Sequence, residues 1–221
     1  MKHLSVPMVK LCGLSTIDAV QAARDGHATH IGFIFFPKSP RYVTPSDAAR
    51  LASEKGSAAS VAVSVDADDK FLDEIVETVS PDLLQLHGQE TVQRVKELKK
   101  RYSRPIIKAF SIKDPEDLVH ARTYQDTADL LLLDAKPPEN SDLPGGNGVS
   151  FDWKLIEAFQ SHAPVMLSGG IDQTNVETAL QLVTRRDNNL QGLDVSSGVE
   201  SAPGVKDIHK ITSFMAQCQN D

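Results

Sequence analysis

Eight short apolar runs, most of them rich in β-branched residues, recur along the chain and constrain its fold more than any other feature. They start at Val9, Ile31, Val61, Leu83, Ile106, Leu130, Val165 and Leu193. Successive starts are 22, 30, 22, 23, 24, 35 and 28 residues apart. About this much chain is needed for a strand of roughly five residues, a helix of roughly ten and two short loops. The pattern therefore predicts eight consecutive strand–helix units.

Helix-start signals lie between the runs. Ser15 opens a segment that resembles a capping box, and Asp114-Pro115 combines an N-cap with proline at the first helical position. Apolar residues at helical spacing follow four further polar residues, which are Asp68, Asp152, Thr174 and Asp207. Two more helices fit residues 46–55 and 91–102. Each predicted strand is thus followed by a predicted helix.

The predicted strands are nearly continuous apolar stretches, such as the four leucines at 130–133. Strands that are buried on both faces have this composition, and parallel sheets are buried on both faces. Eight such units in 221 residues predict a single α/β domain over residues 1–221, a (β/α)₈ TIM barrel. The alternative fold is an open doubly wound sheet, which usually needs fewer units, and no G-x-G-x-x-G motif follows the first run.

Charge and composition exclude several classes of protein. With 23 Lys and Arg against 30 Asp and Glu, the net charge is −7, which makes nucleic acids and anionic membranes poor partners. Two cysteines, Cys12 and Cys218, do not form a disulfide scaffold. The longest nearly apolar stretch, 31–37, has 7 residues, whereas about 20 are needed to span a bilayer, and residues 1–9 do not read as a signal peptide. We expect a cytoplasmic monomer or homodimer that acts on a small molecule.

Glycine turns follow the last two predicted strands. Ser168-Gly169-Gly170 comes after the seventh run, and Ser196-Ser197-Gly198 comes after the eighth. In (β/α)₈ barrels the active site lies at the carboxyl ends of the strands, and a phosphate group is frequently bound by the loops after strands 7 and 8. Glycine turns before helices offer free backbone N–H groups for this purpose. These six residues are the predicted phosphate site, and the alternative is that they form tight turns only.

Three further residues at strand ends have side chains suited to acid–base chemistry or anion binding. Cys12 precedes a glycine and a capped helix, a setting that can lower a thiol pKa, although a free cysteine in a strand is more often a small buried hydrophobe. Asp134 ends the sixth strand, where desolvation raises a carboxyl pKa and suits a general acid; it could equally cap a loop. Arg41 follows the second strand and could bind a carboxylate or phosphate bidentately, or it could be a solvated surface arginine.

A metal site is not predicted. The seven histidines are scattered without an H-x-x-x-H or H-E-x-x-H pair. Only His87 lies at a strand end, where it either contacts the substrate or is a structural histidine. With Arg41, we assign His87 and Asp194, which ends the eighth run, as predicted substrate contacts.

Taken in order, these motifs are specific even though each is short. The sequence resembles the phosphoribosylanthranilate isomerases of tryptophan biosynthesis along nearly its whole length. The resemblance is carried by the segments Val9–Leu14, Gly32–Phe35, Ser39–Val43, Gln85–Gly88, Leu132–Asp134, Gly145–Gly148, Phe151–Trp153, Ser168–Ile171 and Asp194–Glu200.

The resemblance implies a reaction and a role for several residues. Members of the family convert N-(5-phosphoribosyl)anthranilate to 1-(2-carboxyphenylamino)-1-deoxyribulose 5-phosphate, an Amadori rearrangement that implies no cofactor and no metal. Asp134 would be the general acid that protonates the furanose ring oxygen, and Cys12 the general base that removes the proton from C2′. Arg41 would bind the anthranilate carboxylate, and the two glycine turns the ribose phosphate.

Two positions depart from the family, and several rival functions have their own signatures. Asp66 places a carboxylate near the mouth where relatives more often have asparagine, and Asn147 stands where many have threonine. A barrel that only binds a sugar phosphate has no need for Cys12 together with Asp134. An indole-glycerol-phosphate synthase relative should show a Lys and Glu set, and a pentose-phosphate epimerase relative a His/Asp metal set. A dual isomerase of histidine and tryptophan synthesis would usually have aspartate at the first strand.

Overall fold

A computed structural model describes residues 7–135, 153–157, 159–184 and 189–219. Eight strands form its centre: β1 Met8–Cys12, β2 His30–Phe35, β3 Ala59–Ser64, β4 Leu83–Leu86, β5 Ile106–Ile112, β6 Leu130–Ala135, β7 Val165–Leu167 and β8 Leu190–Val195. The helices that follow them are α1 Ile17–Asp25, α2 Pro45–Ala52, α3 Asp69–Val79, α4 Val92–Tyr102, α5 Pro115–Arg122, α6 Lys154–Glu157, α7 Val176–Thr184 and α8 Ile208–Cys218. All eight predicted strand–helix units are therefore present.

The strands close into a parallel barrel in which each pairs with the next and β8 pairs with β1. This confirms the predicted (β/α)₈ architecture for the described residues and excludes the open doubly wound sheet. Whether residues 1–221 as a whole are a single domain stays a prediction. No described helix is long and apolar enough to cross a membrane.

Most predicted helix starts are confirmed by side-chain caps. The Asp68 carboxylate accepts from the N–H of Phe71, and Asp114 forms a capping box with Asp117. Asp207 caps α8 in the same way. In α1 the cap is Thr16 rather than Ser15, a shift of one residue. Asp152, the predicted start of α6, lies outside the described residues, as does Asn147.

Alternation along the strands sorts their side chains into two apolar layers. One layer lies inside the barrel and consists of Cys12, Val61, Val63, Ile107, Ala109, Leu130, Leu132 and Met166. The larger layer packs the outside of the barrel against the helices. Because successive strand residues point to opposite faces, the polar residue two positions after an inward-facing one also points inward. This rule places the functional side chains described below.

A short extension follows β8 at the carboxyl end of the barrel. A 3₁₀ turn at Ser197–Val199 leads into a small antiparallel hairpin, β9 Glu200–Ala202 and β10 Val205–Lys206. The hairpin is packed closely against the loop after β2, because a Cβ atom at Gly204 would overlap the carbonyl oxygen of Pro40. It therefore brings Glu200 and Lys206 to the mouth of the barrel.

Candidate active site

A cavity opens at the carboxyl ends of the strands, where the active sites of such barrels lie. Its space, counted together with the open solvent at its mouth, is about 680 Å³. Every predicted site residue except Gly198 lines it; these are Cys12, Arg41, His87, Asp134, Ser168, Gly169, Gly170, Asp194, Ser196 and Ser197. The fold thus brings together residues from strands far apart in the sequence.

Cys12 lies at the end of β1 beside an unexpected buried lysine. Lys10, two residues earlier on the same strand face, has no solvent-exposed surface, and its Nζ donates to Asp194 Oδ1 at 2.7 Å. The ammonium also lies beside the Cys12 thiol, whose ionised form it favours. Burial raises the pKa of Cys12, and the charge of Lys10 opposes that rise. The same burial disfavours the ammonium, but Asp194 and Cys12 together outweigh it, so that the pKa of Lys10 lies above its ordinary value.

Asp134 ends β6 and points into the barrel by the same alternation, since Leu130 and Leu132 face inward. The carboxyl is almost fully buried. One oxygen accepts from the N–H of Ala135 at 3.0 Å, and the hydroxyl of Ser168 lies close by, where it opposes the rise in the pKa of Asp134. Burial, reinforced by the charge of Asp194, raises the pKa of Asp134 to about 7. A carboxyl that holds its proton near neutral pH is a competent general acid.

His87 lies beyond the end of β4 with its ring next to Asp134. Its Nε2 is 3.6 Å from Asp134 Oδ2, and its Nδ1 is 3.3 Å from the side-chain amide nitrogen of Gln85. Burial, with the charges of Lys108 and Lys10, lowers the pKa of His87 to about 3, so the ring is neutral. Both His87 Nε2 and Gln85 Oε1 are buried without a hydrogen-bond partner among the described residues, and both side chains line the cavity. The pair therefore offers polar groups to a ligand.

Arg41 reaches the cavity from the loop after β2. Its Nε and Nη2 donate to the two oxygens of Glu200 at 2.7 and 2.8 Å. Glu200 also accepts from Lys206 Nζ at 2.8 Å. Arg41 is therefore not a solvated surface residue. One edge of its guanidinium is used by Glu200, and the three side chains together carry one net positive charge.

The two glycine turns meet at the side of the cavity next to β7 and β8. Gly169 and Gly170 have φ of +89° and +66°, values that favour glycine. Within the described residues their backbone N–H groups have no hydrogen-bond acceptor. Gly198 lies behind the cavity wall, where a Cβ would overlap the carbonyl oxygen of Ile171. Its absence from the lining indicates a packing role that joins the two turns.

Ser168 differs from the remainder of the predicted phosphate site. Its hydroxyl donates to Asp194 Oδ2 at 3.1 Å and is buried beside Asp134. The side chain thus belongs to the group of titratable residues. Its neighbours Gly169 and Gly170 present the backbone to the cavity.

Asp66, which departs from the family, does not point into the cavity. Its Oδ1 accepts from the N–H of Gln89 at 2.7 Å, in the loop after β4. The backbone of Asp66 is in the left-handed region, with φ of +46°. The carboxylate is held by the neighbouring loop and therefore does not line the substrate entrance.

The sequence analysis did not single out Lys10, Gln85, Glu200 or Lys206 as site residues. The available signal was the two-residue spacing between Lys10 and Cys12, and between Gln85 and His87, which places each pair on one strand face. No comparable signal links Arg41 to Glu200, which is 159 residues away in sequence. Among the described residues no group of three potential ligands is arranged to hold a metal ion.

Comparison with known proteins identifies the family. A model of the N-(5'-phosphoribosyl)anthranilate (PRA) isomerase family matches residues 9–217. The chain belongs to this family. The N-(5'-phosphoribosyl)anthranilate isomerases of Brucella canis and Brucella abortus are each 57% identical over 207 residues, covering 93% of this chain and 91% of theirs.

Solved structures of PRA isomerases have the same fold. The enzyme from Thermotoga maritima superposes with a TM-score of 0.84 at 31% identity, covering 97% of this chain and all of that one. A PRA isomerase in complex with reduced 1-(o-carboxyphenylamino)-1-deoxyribulose 5-phosphate gives a TM-score of 0.82 at 29% identity, with the same coverage. The Thermus thermophilus enzyme gives 0.77 at 30% identity, covering 95% of this chain and 97% of its own.

Proposed function

We propose that this chain is a phosphoribosylanthranilate isomerase of tryptophan biosynthesis. It would convert N-(5-phosphoribosyl)anthranilate to 1-(2-carboxyphenylamino)-1-deoxyribulose 5-phosphate. The observation that carries the proposal is that one cavity holds a carboxyl group with a pKa near 7, Asp134, and a thiol beside an ammonium group, Cys12. An aldose-to-ketose rearrangement needs one acid and one base on a bound sugar, and these two groups supply them.

Asp134 acts first, as the general acid. Its proton goes to the furanose ring oxygen, the ring opens, and the positive charge left on the substrate is that of a protonated Schiff base between C1′ and the anthranilate nitrogen. The buried position of Asp134 suits this role because burial raises its pKa to about 7, so that the carboxyl still carries a proton to donate near neutral pH.

Cys12 acts next, as the general base. Its thiolate takes the proton from C2′, and the electrons of that C–H bond form the enolamine, which neutralises the Schiff base. The enolamine then tautomerises to the ketone. A positioned acid and a positioned base each contribute about 10²–10⁴ in rate.

Substrate binding uses the two sides of the cavity mouth. The free N–H groups of Gly169 and Gly170, together with the turn of Ser196, Ser197 and Gly198, would hold the ribose phosphate. On the opposite side the net positive cluster around Arg41 would attract the anthranilate carboxylate. His87 and Asp194 would contact the sugar between them.

The remaining expectations complete the proposal. We infer that the enzyme works in the cytoplasm without a cofactor or metal, as a monomer or homodimer, and that residues 1–221 form one domain. Known structures include monomers of the dimeric phosphoribosylanthranilate isomerase from Thermotoga maritima.

The experiment that tests the function follows the decay of anthranilate fluorescence in freshly prepared phosphoribosylanthranilate. We expect the wild-type protein to accelerate the decay far above the uncatalysed background. A Cys12→Ser variant, purified in the same way, controls for contaminating isomerase. No decay above background with the wild-type protein would reject the proposed function.

A further inference from the structure

A buried ion pair joins strands β1 and β8 directly beneath the proposed acid and base. Lys10 and Asp194 are opposite each other in the strand register, and their charged groups are 2.7 Å apart. Both side chains are almost completely excluded from water. A buried ion pair is seldom better for stability than apolar side chains of similar volume. Its presence beside two titratable groups therefore calls for a functional explanation.

We infer that this ion pair biases the two reacting groups toward opposite protonation states, Lys10 favouring the thiolate of Cys12 and Asp194 favouring the protonated form of Asp134, so that the productive form is populated more than it would be without the pair. Lys10 and Asp194 are then positioning residues that act through the acid and the base. The assignment of Cys12 and Asp134 rests on the proposed function, whereas the ion pair's effect on their protonation can be measured without turnover.

The lysine end of the pair lies against the thiol. Because Lys10 and Cys12 are two residues apart in β1, both project into the barrel, over Gly32 of the neighbouring strand. A Cβ atom at Gly32 would be 2.9 Å from the Cys12 sulfur and 3.3 Å from Cε of Lys10. The missing side chain of Gly32 therefore provides the space in which ammonium and sulfur meet, and their opposite charges attract when the thiol ionises.

The carboxylate end of the pair reaches Asp134 through a single hydroxyl group. Ser168 Oγ donates to Asp194 Oδ2 at 3.1 Å, and the same hydroxyl lies beside Asp134, whose ionised form it would favour by donating to it. A hydroxyl group has only one proton to donate. With that proton given to Asp194, Ser168 cannot donate to Asp134 at the same time, so the ionised form of Asp134 loses this support.

Among the described residues, few other charges face the two groups. Besides Lys10 and Asp194, the described charged group that acts on Cys12 is Lys206, whose ammonium is bound by Glu200 and by the oxygens of Ser196. Asp134 faces Asp194 and Lys10, and the adjacent His87 ring is neutral. Within the described part of the chain, the Lys10–Asp194 pair is therefore the main local source of electrostatic asymmetry between the acid and the base.

The test is the pH dependence of alkylation by iodoacetamide, with the modified cysteines quantified separately by peptide mass spectrometry. Wild-type protein is compared with Lys10→Met. Lys108→Met is the matched control, because Lys108 is an equally buried lysine paired with Glu90. Cys218 is an internal control, since burial alone raises the pKa of that thiol.

We expect Lys10→Met to move the alkylation midpoint of Cys12 to higher pH by about one unit or more, a roughly tenfold lower rate at pH 8. In Lys10→Met the midpoint of Cys218 should stay at its wild-type value. In Lys108→Met the midpoints of both Cys12 and Cys218 should stay at their wild-type values. An unchanged Cys12 midpoint in folded Lys10→Met would overturn the inference. If the unpaired Asp194 prevents folding, the charge-balanced double variant Lys10→Met/Asp194→Asn is used in place of the single variant. Its Cys12 midpoint should also move to higher pH.

The Asp194→Asn variant should shift the alkylation midpoint of Cys12 in the opposite direction, to lower pH. Removing the carboxylate leaves Lys10 with the thiol as its nearest anionic partner, so the Cys12 midpoint should fall. In the same variant, carbon-13 NMR of labelled aspartate should show the Asp134 carboxyl titrating below its wild-type pKa. A structural disturbance would not move the Cys12 midpoint in opposite directions in the two variants. A Cys12 midpoint that rises or stays constant in Asp194→Asn contradicts the inference.

Discussion

The pH dependence of kcat/KM should show that the proposed acid loses its proton before the proposed base does. Burial raises the pKa of Asp134 to about 7, and burial also raises the pKa of Cys12 from an ordinary value of about 8.5. The productive form, with thiolate and protonated carboxyl, is then a minority tautomer. Each unit by which the pKa of Cys12 lies above that of Asp134 makes this form about tenfold scarcer.

The ionisation of these two groups determines where kcat/KM rises and where it falls with pH. Activity should rise with pH through about 7, because below that value both groups are protonated and thiolate is scarce. It should fall above the thiol pKa, because both groups are then ionised and the acid form of Asp134 is scarce. Between the limbs the productive fraction is constant, and the profile is flat.

The assay measures kcat/KM by anthranilate fluorescence from pH 5 to 10 and compares it with the alkylation profile of Cys12. We expect the alkylation midpoint to coincide with the alkaline limb of the rate profile. A midpoint that coincides with the acid limb instead would mean that the thiolate forms first, and would refute the order of ionisation derived from the burial of Asp134.

Three further substitutions test separate parts of the structure. Gly32→Ala places a methyl group 2.9 Å from the Cys12 sulfur; we expect a loss of about 1–3 kcal/mol in the free energy of unfolding and at least a tenfold lower kcat, and an unchanged kcat would contradict the close packing. Asp134→Asn removes a buried carboxyl whose folded-state pKa is raised, so its stability contribution is present below about pH 4 and lost as pH rises through about 7. Thermal melts should therefore show the variant gaining stability over wild type at pH 8, by up to about 4 kcal/mol, and little at pH 4; an equal difference at both pH values would rule this out. Glu200→Gln weakens the bidentate hold on Arg41, and we expect steady-state kinetics to show a KM raised about tenfold with kcat changed less, whereas an unaltered KM would show that Glu200 does not orient the guanidinium.

Most of the fold could be predicted because local signals agree with it. Seven of the eight apolar runs begin within two residues of a strand start in the structure. The eighth strand starts at Leu190, three residues before the predicted Leu193. The start of this strand is not apolar in sequence, because it contains the exposed Gln191 and then Gly192. A Cβ at Gly192 would overlap the backbone of Met8 in the neighbouring strand, so the glycine is required by a contact that the sequence alone does not reveal.

Site residues that stand at the ends of strands could be predicted from the sequence. Site residues that depend on an ion-pair partner far away in the sequence could not. Cys12 and Asp134 stand at the ends of apolar strands, and the barrel fold makes such ends converge. The burial of a charged Lys10 opposes ordinary composition rules, because its partner Asp194 follows 184 residues later. The bidentate contact of Glu200 with Arg41 likewise exists only once the hairpin that follows β8 and the loop after β2 have come together.

The central claim is that Asp134 and Cys12 carry out the two proton transfers of the rearrangement. The most direct measurement is kcat for Asp134→Asn and Cys12→Ala, together with the affinity of each variant for the reduced product analogue. We expect kcat to fall at least about 10²-fold in each, while the analogue still binds through the glycine turns and Arg41. Turnover close to that of wild type in either variant would contradict the claim for that residue.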